Sequence, residues 1–98
     1  MKSTVSVPQI TSIDTAIRLY YQYTELRNAQ IRELFGKIGN ERLIRLKRAA
    51  VDLMIQEDCP VWNASAVNTM IAYKAWGLDI ADLEQRHKKL KSLGFLEG

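Results

Sequence analysis

The sequence predicts an all-α protein of about five helices, three in its first half and a pair towards its C-terminal end. Three observations carry that prediction. Apolar residues recur at three- and four-residue intervals along most of the 98 residues. Gly36, Pro60, Gly77 and Gly94 fall where helices stop. No segment alternates with a period of two, and Val61-Trp62 is the only fragment able to pair as a strand.

Residues 1–11 hold Ser, Thr, Val and one Pro without helical period and read as a flexible arm preceding a single domain over 12–98. A first helix begins near Ser12, a good N-cap, and presents Ile13, Ala16, Ile17, Tyr20, Tyr21 and Tyr23 as its apolar stripe. It ends near Thr24–Arg27. A second helix runs from about Asn28 to Phe35, with Asn28 as its cap and Ile31, Leu34 and Phe35 facing inward. Gly36 then takes the left-handed position that only Gly adopts without penalty.

Gly39-Asn40 supplies a second flexible point and a cap for the longest helix, about Glu41 to Glu57. On a helical wheel Leu43, Leu46, Ala50, Leu53 and Met54 fall within one arc of about 100°. Glu41, Arg42, Arg45, Arg48, Ala49 and Asp52 oppose it, and Ile44, Val51 and Ile55 form a second apolar edge in need of a partner. Pro60 stops the helix. A fourth helix, Thr69–Trp76, is capped by Asn68 and ended by Gly77. A fifth, Ile80–Leu93, is capped by Asp79. Its acid comes early (Asp82) and its lysines late (Lys88, Lys89, Lys91), the order a helix dipole favours.

Composition excludes several classes of function. The single Cys59 permits no internal disulfide and no cysteine-based metal cluster, which fits a reducing cytoplasm. Acidic neighbours make it a poor nucleophile. With His87 the only histidine, a histidine zinc site and a Ser/His/Asp triad are not expected. Neither is a phosphate-binding glycine loop, so no enzyme and no cofactor are expected. No apolar run approaches the roughly 20 residues that span a bilayer, and the N-terminus lacks the apolar core of a signal peptide. The two tryptophans, Trp62 and Trp76, read as core anchors. The tyrosines of the first helix read as core and rim in preference to a base-stacking platform.

Charge is divided sharply along the chain. Arg27–Arg48 holds seven Lys/Arg against two carboxylates, whereas Ala49–Gln85 holds one Lys against six acids. Basic charge on two helices joined by a tight turn points to the phosphate backbone of nucleic acid. Gln30–Phe35, Gly36–Asn40 and Glu41–Arg48 resemble the helix-turn-helix unit of small bacterial and phage DNA-binding regulators. In that comparison Ile31 and Phe35 face inward from the first helix, Ile38 plugs the turn, and Leu43 and Leu46 face inward from the recognition helix. The turn is about one residue longer than the tight consensus, and Arg32 stands where a small residue is usual. With the preceding helix, the segment 12–57 resembles a three-helix helix-turn-helix core, with a C-terminal helical pair over 66–94.

The resemblance implies that the second helix of the unit enters the major groove. Asn40, Arg42 and Arg45 would then contact bases, since Arg suits guanine and Asn suits adenine. Arg27, Lys37, Lys47 and Arg48 would contact phosphates, although Lys47 lies off the arginine arc and also suits a snorkelling surface position. Ile80, Leu83, His87 and Leu90 recur like a short coiled-coil seam and are the expected homodimer contact. The expected function is sequence-specific binding of double-stranded DNA by a small transcriptional regulator, with no membrane partner and no small-molecule ligand. The competing reading is an all-helical protein–protein interaction module whose basic residues are a solvated face or dock an acidic partner. A third is binding of single strands or RNA.

Overall fold

The computed structural model describes residues 8–61 and 65–94. Among them are five helices and one two-stranded sheet: α1 (Ile13–Gln22), β1 (Glu25–Leu26), α2 (Asn28–Phe35), α3 (Asn40–Gln56), β2 (Val67–Asn68), α4 (Thr69–Ala75) and α5 (Ile80–Ser92). Three helix starts follow from their caps. Ser12 Oγ accepts from the Thr15 N–H, Asn68 Oδ1 from Ile71 N–H and Asp79 Oδ1 from Ala81 N–H, each at 3.0 Å.

The other two caps fall one residue earlier than expected, while α2 itself begins at Asn28 as expected. Arg27 and Gly39 are the N-caps, and Asn28 and Asn40 are the first helical residues. Both asparagine side chains have tertiary partners instead: Asn28 Oδ1 accepts from Lys47 Nζ at 2.9 Å, and Asn40 Oδ1 from Arg32 Nη2 at 2.8 Å.

The sheet was not expected. Leu26 pairs with Val67 and Glu25 with Asn68, antiparallel. Two-residue strands are too short to show a period of two, so no pattern betrays them. Leu26 and Val67 are both fully buried, and Thr69 N–H extends the ladder to the Thr24 carbonyl at 3.0 Å. Val61 is exposed and outside any strand. Its expected partner in that fragment, Trp62, lies outside the described residues.

The expected arc of α3 is the one buried: Leu43, Leu46, Ala50 and Met54 enter the core, with Leu53 at its edge. That face packs on α4, while α5 packs on α1. The α4 aromatics join the two layers. Trp76 Nε1–H donates to the Leu46 carbonyl at 2.9 Å, and the Tyr73 hydroxyl donates to the Ala16 carbonyl at 2.5 Å. Phe35 meets Trp76 edge to face, with centroids 5.3 Å apart. The C-terminal pair is therefore part of one core. In α1 the buried residues are Ala16 and Leu19, the latter missed by the sequence reading. Tyr21, assigned to the stripe, is 63% exposed and donates to Glu84 on α5.

The described end of the expected arm is tied down. Thr11 N–H donates to the Leu34 carbonyl at 2.8 Å and Thr11 Oγ1 to the Glu33 carbonyl at 2.9 Å, while Ile10 packs on the core. A short helix leaves its last carbonyls open, and here the preceding segment supplies the donors. Gly36, at φ 85°, turns the chain beneath Thr11; a Cβ there would stand 3.3 Å from Thr11 Cγ2.

At the end of α3, Cys59 N–H reaches the Met54 carbonyl at 2.8 Å and Asp58 N–H the Ile55 carbonyl at 3.2 Å, around Asp58 at φ 57°. This hydrogen-bond pattern normally uses Gly, and an acid at a helix C-terminus also opposes the dipole. Asp58→Gly is expected to stabilise the fold by on the order of 0.5–1 kcal/mol, read as a raised denaturation midpoint. Burial, first, and the neighbouring Tyr20, second, push the Tyr73 phenol well above its ordinary value near 10, with Arg18 opposing. The folded chain thus holds that proton more tightly than the unfolded chain. The resulting stability is complete below pH 10 and declines as pH rises beyond it. In an alkaline titration, one phenolate signal should appear only together with unfolding, and Tyr73→Phe should remove that phase.

Candidate nucleic-acid interface

The connection Gly36–Gly39 and the first half of α3 carry four exposed cations, Lys37, Arg42, Arg45 and Arg48. Ile31, Phe35, Leu43 and Leu46 are buried, and Ile38 packs against the core from the turn. This fixes α3 with its opposite face outward. Lys37, Arg42 and Arg48 are exposed, and among the described residues none has a hydrogen bond or ion pair. Arg45 meets Glu41 at 3.4 Å, with both side chains mostly in solvent, a pair that contributes little and separates easily.

The charge order of α3 opposes its own dipole. Arg42 and Arg45 follow Glu41 closely at the start, whereas Asp52, Glu57 and then Asp58 gather at the end. α5 does the reverse, with Asp79 and Asp82 first and Lys89 and Lys91 last. Terminal charges of the unfavourable sign cost roughly 0.3–1 kcal/mol each. The N-cap, Gly39, offers no side-chain acceptor to the first N–H groups. Helix dipole, open N–H groups and arginines thus add to one positive field at the N-terminal half of α3.

The other expected contact residues have different surroundings. Asn40 stands at the start of α3, but its Oδ1 is held by Arg32. That bond occupies the acceptor a two-point contact with adenine requires. Lys47 is half-buried, donating to Asn28 Oδ1 and, at 3.2 Å, to the Ser65 carbonyl. Arg27 donates to Ser65 Oγ at 3.4 Å and remains exposed. Lys47 therefore joins α2, α3 and the approach to β2 rather than projecting towards a ligand. Sequence reasoning could not find these bonds, because Asn28, Lys47 and Ser65 are brought together only by the fold.

The seam on α5 is redirected. Leu83 is buried within its own chain, and Ile80 and Leu90 are half-buried. His87 Nε2 lies 3.4 Å from Asp14 Oδ1 on α1. The four residues follow the three–four spacing of a packed face, but α1 is the element packed against α5. A charge placed at Leu83 would therefore disrupt the protomer before it separated two copies. The second apolar edge of α3 stays open in part: Ile44 and Ile55 are exposed, while Val51 packs against the core.

No group of three or more His, Cys, Asp or Glu among the described residues could hold a metal ion. No helix among them is long and apolar enough to cross a membrane. Comparison with known proteins returns no match, whether to a family model, a curated protein or a solved structure.

Proposed function

We propose that the protein is a sequence-specific double-stranded DNA-binding protein, a small cytoplasmic transcriptional regulator acting as a homodimer. The observation that carries this reading is a set of cations without a partner among the described residues, Lys37, Arg42 and Arg48, on the turn and first half of α3. They stand beside the loosely held Arg45, on a helix whose charge order lowers its own stability. Phosphates would return that stability on binding. Arg42 and Arg45 are assigned to base edges; Lys37 and Arg48, with Arg27 at the margin, are assigned to the backbone. Asn40 and Lys47 leave the contact set, because their polar atoms are engaged by Arg32, Asn28 and Ser65.

A single recognition helix has limited affinity, which is the argument for two copies. Because α1 covers Leu83, the apolar residues free for that contact include Ile55 and Met70, 63% and 66% exposed. Binding of a labelled random duplex, challenged with unlabelled duplex or single strands, tests the nucleic-acid class. Duplex should compete better. Equal competition by single strands would overturn the double-stranded reading, and sedimentation as a monomer at high concentration would overturn the dimer.

A further inference from the structure

Resting on the DNA-binding reading, we propose that Ile44 is a base-reading residue that takes up the C5-methyl group of thymine in the major groove. Ile44 is 56% exposed in the second turn of α3. It borders a shallow groove with Lys47, Arg48, Val51 and Asp52. Arg48 follows it by one helical turn, so the two share a face. The exposed side chains of the first half of α3 are Asn40, Glu41, Arg42, Ile44, Arg45 and Arg48, of which Ile44 alone is apolar.

A β-branched aliphatic side chain in water among charges gains nothing from its surroundings. Against duplex DNA it finds one apolar group on the base edges of the major groove, the thymine methyl. Arginine at 45 or 48 can satisfy guanine or phosphate, but neither can distinguish thymine from uracil by a methyl contact. Ile44 can.

The position also separates Ile44 from the rest of the apolar edge. Ile55 lies eleven residues on, about 16 Å along the axis. Between them stands Asp52, and beyond Ile55 stand Glu57 and Asp58. Glu57 is paired with Lys74, but Asp52 and Asp58 have no ion pair among the described residues and repel phosphates, so the DNA-facing part of α3 ends before Asp52. Ile44 falls inside that limit and Ile55 outside it. The one edge thus serves two purposes, DNA at its N-terminal end and protein contact at its C-terminal end.

The test uses the full chain. Random duplexes are enriched by binding, and the enriched pool is copied once with dTTP and once with dUTP. The unmutated protein should bind the uracil pool about four- to fifteenfold more weakly, the scale of one or two buried methyl groups. Ile44→Ala, with an unchanged thermal midpoint because the residue is exposed, should bind the thymine pool more weakly by a similar factor and treat both pools alike. Equal affinity of the unmutated protein for the two pools would overturn the proposal while leaving DNA binding intact. So would an Ile44→Ala variant still sensitive to uracil. Failure to enrich or bind any duplex would remove the DNA-binding reading and this inference together.

Discussion

Replacing Arg42, Arg45 and Arg48 together with alanine should weaken duplex binding by at least two orders of magnitude at low salt and leave the fold intact. The fold should survive because all three side chains are exposed, and the one bond removed is the long pair of Arg45 with Glu41. Stability should even rise slightly. Arg42 and Arg45 sit near the positive end of the α3 dipole, where removal of a cation is favourable by a few tenths of a kcal/mol. Binding should fall for two reasons. Removing a cation from a phosphate reduces the log–log salt slope by about 0.9, and removing an arginine from a base edge costs roughly 1–3 kcal/mol of binding energy. Far-UV circular dichroism and a thermal scan check the first half of this expectation, and a salt-titrated binding curve the second. Unchanged binding would mean that α3 is not the recognition helix.

Trp76→Ala should be the most damaging single change in the core, costing roughly 3–5 kcal/mol. The indole is 3% exposed, stacks edge-on with Phe35 and donates to the Leu46 carbonyl. Its removal leaves a cavity where α4 meets α2 and α3, at the junction of the two layers. Against a total stability of about 5–15 kcal/mol for a small domain, that change leaves a marginal fold. Trp76→Phe separates packing from the hydrogen bond. It keeps part of the ring volume and removes the N–H donor, while the Leu46 carbonyl stays within a helix. Its cost should therefore be smaller than that of alanine. Chemical denaturation of the three proteins gives the order directly, and equal midpoints for Trp76→Ala and the unmutated chain would show that α4 is not part of the core.

The helices were legible in the sequence wherever a short polar side chain caps its own backbone. Ser12, Asn68 and Asp79 are local signals, and the starts of α1, α4 and α5 follow from them. Asn28 and Asn40 carry the same chemistry, but their oxygens are taken by Lys47 and Arg32 from distant positions. A cap read from sequence is a statement about local competition, and here tertiary partners won it. The same limit explains α5. A wheel identifies the face that will be covered, and Leu83 is covered; it does not say whether α1 or a second copy does the covering. The β1–β2 pair had no readable pattern at two residues per strand.

The candidate interface was legible in part for a related reason. Charge counting found the basic segment, and spacing found its outward arc, because both are properties of nearby residues. It did not separate free cations from bonded ones. Among the described residues Lys37, Arg42 and Arg48 have no hydrogen bond or ion pair, whereas Lys47 is held by Asn28 and Ser65. Ile44 shows the converse. The sequence places it on an edge to be covered by the C-terminal half or another protomer; the structure packs Val51 of that edge on the core and leaves Ile44 exposed beside Arg48.

Affinity for a random duplex, followed as salt is raised, tests the central claim most directly. Phosphate contacts by Lys37 and Arg48, with Arg27 at the margin, predict that log K falls linearly with log salt, with a slope of roughly −2 to −3 per protomer. An absence of duplex binding at low salt, or binding that does not weaken as salt rises, would contradict the account.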